Sequence, residues 1–267
     1  MARTLGLKFN RIQFTPDLMP SDITGTDIID EDALTGRRTW TFVPGPIFSN
    51  VLLADEINRT PPKTQSALLE AMQERTVTSG NNTYSLEAPF LVMATQNPIE
   101  MEGTYPLPEA QLDRFLMKIL VNFPSRADLS RIVDLTTRGD DSDLRQILTR
   151  DQIANLKTIS RQVIVAPHVQ DYAIELVMST QPGINGAPEI TNKYIRYGSS
   201  PRGAQALVEC GRVLALMRGR VHLSLDDVTA VAPAVLRHRI ILNFDAHADG
   251  HTAETILGKI LEGASES

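Results

Sequence analysis

The sequence predicts an α/β domain built on a parallel sheet and followed by a smaller, all-helical domain. Three observations carry that prediction. Val51-Leu52-Leu53-Ala54 is apolar at four consecutive positions, as a strand covered on both faces requires, and it stops abruptly at Asp55 and Glu56. A second apolar run, Phe90 to Ala94, stops at Thr95-Gln96-Asn97. In the second half of the chain the pattern changes to the i, i+3, i+4 spacing of amphipathic helices. Open parallel sheets bind ligands at the C-terminal edge of their strands, which is where the two acids and the amide fall. Neighbouring strand residues point to opposite faces, so Asp55 and Glu56 are expected to divide the work, one carboxylate suiting a magnesium ion and the other a water. A strand that ends in acids can also simply be meeting solvent.

A chain of 267 residues is long for one core and comfortable for two. With 42% hydrophobic and 22% charged residues it reads as an ordinary globular protein. No apolar run is long enough to span a membrane, and Met1-Ala2-Arg3-Thr4 leads into no signal-peptide core, so the cytoplasm is the expected compartment. The single cysteine, Cys210, can form no internal disulfide and reads as a small buried apolar residue. A net charge of −6 argues against a general nucleic-acid surface.

In chain order, Met1 to Leu5 reads as the last turn of a helix closed by Gly6, and Leu7 to Phe14 as an extended segment. Pro16 and Pro20 are expected to keep 15–22 a loop. Thr39 to Val43 alternates, with Trp40 and Phe42 on one face, and is expected to pair with Ile28-Ile29 across a turn near Thr35-Gly36. After the strand at 51–55, Thr60 and Pro61 suit a helix start, and the helix should run to Glu74 with Leu68, Leu69 and Met72 buried. Thr76 to Thr78 and Thr83 to Leu86 form a hairpin around Ser79-Gly80-Asn81-Asn82. A short helix near Glu109 precedes an expected apolar strand from Phe115 to Phe123.

Pro124 closes the first domain, so the expected divisions are an α/β core at 1–124, a charged linker with the start of the helical part at 125–150, and a helical domain at 151–267. Gly139 to Asp143 is the expected flexible point. Thr149 and Gln152 have capping-box spacing, and Val169, Tyr172, Ala173, Leu176 and Val177 form one apolar stripe. Ser200-Pro201 and Ser224 open two further helices, and the second half is expected to be all helix.

An acid pair after one strand, an Asn after the next, an Asp-Arg-Phe and then a Ser-Pro-Arg occur in a fixed order. The stretches Phe14 to Asp22, Leu53-Ala54-Asp55-Glu56-Ile57-Asn58-Arg59, Ala94-Thr95-Gln96-Asn97-Pro98, Leu112-Asp113-Arg114-Phe115 and Ser200-Pro201-Arg202-Gly203 together resemble the AAA+ ATPases, most of all the MoxR branch. The resemblance covers nearly the whole chain. It implies a P-loop NTPase-type parallel sheet core with an all-α lid, ATP and Mg²⁺ as cofactors, and ATP hydrolysis. Carried over residue by residue, Asp55 would hold the Mg²⁺ and Glu56 would activate the hydrolytic water. Asn97 matches sensor 1, and Arg114 the arginine finger that acts on nucleotide bound by the adjacent subunit. Its planar donors suit the charge that spreads over phosphoryl oxygens; a surface ion pair with Glu109 or Asp113 is the lesser alternative. Arg202 matches sensor 2, on the lid, where an anionic ligand would offset its position near a helix start; a solvated arginine is the other reading. Trp40, Phe42 and the hairpin around Asn81-Asn82 look like the two inserted hairpins of this clade, or are ordinary sheet edges. The family further implies a homo-oligomeric ring, expected as a hexamer, a protein client to be remodelled or matured in chaperone fashion, and a von Willebrand factor A-type partner.

One departure stands out. The chain contains no Gly-x-x-x-x-Gly-Lys-Ser/Thr, and its only Gly-Lys pair, Gly258-Lys259, has Ala253 where the first glycine belongs. The sequence therefore reads as one that begins inside the helix after the P-loop, lacking the first strand and the phosphate cradle, and it is expected to be inactive as it stands. Three functions follow: a ring ATPase acting on protein clients; a pseudo-ATPase that lends Arg114 and its lid to a neighbour's site; and a nucleic-acid motor. The absence of Lys and Arg from Val77 to Leu86 speaks against the third.

Overall fold

The computed structural model describes residues 1–31, 38–97, 104–138 and 144–265. The chain forms two compact units, Met1–Gln111 with Leu144–Asn155, and Leu112–Asp143 with Leu156–Ser267. This division differs from the boundary expected at Pro124, because the segment after Gln111 bonds to the helical unit.

In the first unit a 3₁₀ turn over Arg3–Leu5 closes on Gly6, whose φ of 61° is the left-handed conformation that glycine adopts without strain. Strand β1 (Phe9–Gln13) follows. Helix α1 (Pro20–Thr24) replaces the expected loop: Pro20 occupies its first turn, where no N–H is needed, and the Asp22 carboxylate accepts from the Met19 N–H. Strands β2 (Gly25–Glu31) and β3 (Arg38–Pro44) pair antiparallel with Ile29 opposite Trp40, as the alternation predicts; the turn at 35–36 lies outside the described residues. Strand β4 (Val51–Asp55) runs into a 3₁₀ turn, Ile57–Arg59, and then α2 (Pro62–Glu74), which buries Leu68 and Leu69 while Met72 is only half-buried. Strands β5 (Thr76–Ser79) and β6 (Asn82–Ser85) form the expected hairpin. Tyr84 stacks on Phe42 with ring centroids 4.0 Å apart, and Ser79 donates to Asp27 at 2.7 Å, so the two hairpins support each other.

Strand β7 (Leu91–Ala94) completes a parallel sheet of order β1-β4-β7. The central strand β4 is covered as expected, with Val51, Leu52 and Ala54 at 1% exposure or less. Strand β7 departs from the buried reading: Leu91 and Met93 are exposed, because among the described residues no strand pairs with its outer edge. Helix α3 (Glu109–Leu112) ends the first continuous stretch of this unit.

Residues 115–123 are not a strand. Extended backbone becomes a strand only when a neighbour takes its N–H and C=O groups, and among the described residues this segment has no ladder partner. Ile119, Val121 and Phe123 are exposed. The expected linker instead contains helix α4 (Arg126–Arg138), started by reciprocal bonds between Ser125 and Asp128; the expected flexible point at 139–143 lies outside the described residues.

Helix α5 (Arg150–Arg161) opens with the Thr149–Gln152 capping box. Helix α6 (Pro167–Met178) buries Val169, Ala173, Leu176 and Val177. Helices α7 (Glu189–Tyr194), α8 (Pro201–Met217), α9 (Leu225–Leu236), α10 (Phe244–Ala248) and α11 (Ala253–Ser265) complete the helical unit. It is not all helix, since β8 (Ile195–Tyr197) and β9 (Ile241–Leu242) pair antiparallel. Its core joins Leu176, Leu207, Val228, Leu236, Ile256 and Leu257, each at 1% exposure or less. Cys210 belongs to that core, and burial pushes its thiol up to about 11, so it serves as packing.

Candidate functional site

The site in the first unit grows from the sheet register. Phe9 pairs with Val51 and Gln13 with Asp55 across β1 and β4, while Ala54 pairs with Ala94 across β4 and β7. The C-terminal ends of all three strands therefore meet around Asp55, with Thr95 one residue beyond the β4–β7 ladder.

Thr95 organises this edge. Its hydroxyl donates to Asp55 Oδ1 at 2.5 Å and accepts from the Glu56 N–H at 2.8 Å. Its backbone N–H donates to the Ala54 carbonyl at 2.9 Å, and its own carbonyl accepts from the Ile57 N–H at 3.0 Å. Glu56 adopts φ 56° and ψ 49°, a conformation unusual for a residue with a side chain, and this turns the chain sharply out of β4.

The two acids are held by different partners, which supports a division of labour. Arg11, on β1, donates to Asp55 Oδ2 from Nη2 at 2.5 Å and from Nε at 3.1 Å. Hydrogen bonds from Thr95 and then Arg11 hold the Asp55 carboxyl below the usual carboxylate range, against the opposing effect of burial. Glu56 Oε2 accepts from Gln13 Nε2 at 2.9 Å and from Arg59 Nη1 at 3.0 Å. Both bonds fall on one oxygen, which leaves Oε1 to accept from a water. Asn97 lies three residues beyond the end of β7 and is half-buried at the same edge.

Arg114 and Arg202 belong to the helical unit, and both sit beside Asp113, Arg114 by sequence and Arg202 in space. Ser200 caps α8 by accepting from the Arg202 N–H at 3.1 Å and donates to Asp113 Oδ2 at 2.8 Å. The Arg202 guanidinium is half-exposed, with Nε 3.9 Å from Asp113 Oδ2. Asp113 also accepts from Arg239 Nε at 3.0 Å. The structure thus gathers Asp55, Glu56 and Asn97 at one sheet edge, and Arg114 and Arg202 at one place in the helical unit.

The donor set around Asp55 fits a hard divalent cation, since an ionised carboxylate at a partly solvated strand end is the ligand that Mg²⁺ takes alongside retained waters. No glycine-rich loop followed by lysine accompanies it in the sequence. Sequence reasoning missed Arg11, Gln13, Thr95 and Arg59 around the acids, and Ser200 and Arg239 around Asp113. The first group could be read once strand order and register were known. Arg239 leaves no local signal.

Comparisons with known proteins fit this geometry. Residues 1–117 match the family described as ATPase family associated with various cellular activities (AAA), and residues 187–260 match the AAA lid domain. The chain is 44% identical over 261 residues to Chaperone MoxR1 of Mycobacterium tuberculosis, covering 98% of this chain and 68% of that protein. It is 40% identical over 262 residues to the uncharacterized protein YeaC of Bacillus subtilis, covering 98% and 78%. Protein MoxR of Methylorubrum extorquens is 34% identical over 258 residues, covering 91% and 74%. A 2.00 Å crystal structure of a protein from Cytophaga hutchinsonii assigned as an ATPase superposes with a TM-score of 0.89 at 42% identity, covering 98% of this chain and 78% of the other.

Proposed function

The chain belongs to the MoxR family of AAA+ ATPases, and we propose that it serves ATP hydrolysis in an oligomeric ring that remodels or matures client proteins. The observation that carries this reading is the Thr95-clamped acid pair at the sheet edge, where Asp55 and Glu56 are fixed by separate partners. Asp55 would hold Mg²⁺, which when bound would offset the charge of the phosphates. Glu56 accepts a proton from the attacking water through the oxygen not engaged by Gln13 and Arg59. Asn97 orients that water with its amide. Arg114 supplies a planar cation to phosphoryl oxygens of nucleotide on a neighbouring subunit, and Arg202 contacts phosphate from its own lid. The ring and the client are part of the same proposal, supported by the name of the Mycobacterium tuberculosis chaperone and by the family; a cytoplasmic setting is proposed with them. Among the described residues no helix is long and apolar enough to cross a membrane.

The test uses a version of the chain preceded by a strand and a Gly-x-x-x-x-Gly-Lys-Thr loop. Glu56→Gln should abolish turnover while ATP and Mg²⁺ still bind, because the amide keeps the shape but cannot take the proton. Turnover near the parent rate would remove Glu56 from the role. A second reading concerns the 267 residues taken by themselves, which hold no glycine-lysine loop: they lend Arg114 and the lid to a neighbour's site. It predicts no turnover by the 267-residue chain alone and stimulation of a loop-bearing relative on mixing.

A further inference from the structure

Arg239, just after α9, uses every donor of its side chain, and nothing in the family assignment gives it a role. A guanidinium has five N–H donors, and here all five are used. Nε donates to Asp113 Oδ1 at 3.0 Å, Nη2 to the carbonyls of Asp113 at 3.2 Å and Phe115 at 2.7 Å, and Nη1 to the Leu116 carbonyl at 3.1 Å and to the Val235 carbonyl. Four of these five acceptors lie on residues 113–116, the segment that carries Arg114. The side chain of Arg239 is 3% exposed, so its own donors cannot exchange these bonds for water.

Two more bonds tie the same segment down. Neutral His238, its pKa pulled down to about 4 chiefly by burial and by Arg239, donates from Nε2 to the Phe115 carbonyl at 3.0 Å, and the Lys118 N–H donates to the Ala234 carbonyl at 2.8 Å. The other oxygen of Asp113 faces α8, accepting from the cap residue Ser200 and lying beside Arg202. One carboxylate is therefore shared between the anchor of the Arg114 segment and the first turn of the helix that bears Arg202.

We propose that Asp113 and Arg239 are positioning residues that join the Arg114 segment to the N-terminus of α8, so that the two arginines assigned to phosphate contact move as one body. A shift of the first turn of α8 then also shifts Arg114. A lysine could not replace Arg239, because three donors on a flexible stem cannot serve five fixed acceptors. The proposal rests on the reading of Arg114 and Arg202 given above, and its test has two arms so that the two can fail separately.

The first arm uses the 267-residue chain and hydrogen exchange. Asp113→Asn should speed exchange of the Lys118 amide at least tenfold while amides of α6 and α11 keep their rates; unchanged exchange at Lys118 would overturn the coupling. Arg239→Lys, which keeps the charge but cannot serve the five acceptors, is the second variant should Asp113→Asn unfold the unit, and it should give the same local loosening. The second arm measures turnover in the version bearing the glycine-lysine loop. Asp113→Asn should lower kcat at least tenfold alone but less than twofold in an Arg114→Ala background, since a displaced arginine and an absent one are equivalent. Independent, multiplying losses would show that Asp113 acts only on stability and overturn the proposal. A parent without turnover would count against the ATPase reading alone, and the exchange result would then decide on the coupler.

Discussion

Replacing Asp227 should weaken the helical unit by an amount that its environment allows to be worked out. Its side chain is fully buried at the start of α9, where Oδ1 accepts from Arg218 Nη1 at 2.9 Å and Arg220 Nη2 at 2.5 Å. Oδ2 accepts from the Ser224 hydroxyl at 2.8 Å and the Ser224 N–H at 3.2 Å, and the Asp227 N–H returns a bond to Ser224 Oγ at 3.3 Å. Burial alone would raise the carboxyl pKa, but the bonds from Arg220 and Ser224 outweigh it and bring the group from 3.8 to about 2. That depression corresponds to roughly 2 kcal/mol of stability at neutral pH. Asp227→Asn should remove about that much, and Asp227→Ala roughly 1 kcal/mol more with the loss of the cap. The lower end of the range for a broken buried pair is appropriate because Arg218 and Arg220 are partly exposed and regain water. A depressed folded pKa contributes stability above the unfolded value that disappears as pH falls, so the gap between parent and Asp227→Asn should be constant above about pH 5 and close between about pH 4 and pH 2. Urea unfolding followed by far-UV circular dichroism is the assay. Fluorescence would not serve, since the only tryptophan, Trp40, lies in the other unit and is exposed. A loss below about 0.5 kcal/mol at neutral pH, or a gap undiminished at pH 2, would refute the reasoning.

The remaining predictions concern the site. Thr95→Val should lower turnover of the loop-bearing version by about tenfold, because the hydroxyl's bond to each acid residue is lost, while Thr95→Ser should retain most of it; equal rates for Val and Ser would deny the hydroxyl its role. Arg114→Ala should slow hydrolysis by on the order of 10³ without matching loss of nucleotide affinity, and mixing it with Glu56→Gln subunits should recover activity in shared sites; no recovery in demonstrably mixed rings would assign Arg114 to its own chain or to structure. The 267-residue chain should give no saturable signal at micromolar ATP analogue with Mg²⁺ in calorimetric titration, because Asp55 and Glu56 repel phosphates and the sequence supplies no glycine-lysine cradle. Micromolar affinity would reveal a phosphate site of a different kind.

What could be read from the sequence, and what could not, follows from the range over which each feature is determined. Val51 to Glu56 is legible because burial of a strand and its exit into solvent are written within six adjacent residues, and the same holds for the Ser200 and Ser224 caps. The stretch 115–123 shows the limit of that kind of evidence. Its apolar residues signal a demand for burial, but strand formation depends on a partner whose presence no local pattern reports, and here Ile119, Val121 and Phe123 remain exposed. Helix α4 failed in the opposite sense, its apolar spacing at Leu129, Ile132 and Val133 being diluted by charge. The same distinction separates the candidate site residues from their supports. Asp55, Glu56 and Asn97 stand where strands end, a position that sequence alone can assign. Arg11, Gln13 and Thr95 reach them only through the parallel register of three strands far apart in sequence, and Arg239 reaches Asp113 across 126 positions. A carboxylate needs an environment as much as a position, since Asp55 without Arg11 and Thr95 would titrate as an ordinary strand-end acid. Substitutions at such supports should therefore alter rates and pH profiles before they alter binding, and they are where two chains with identical motifs can differ in activity.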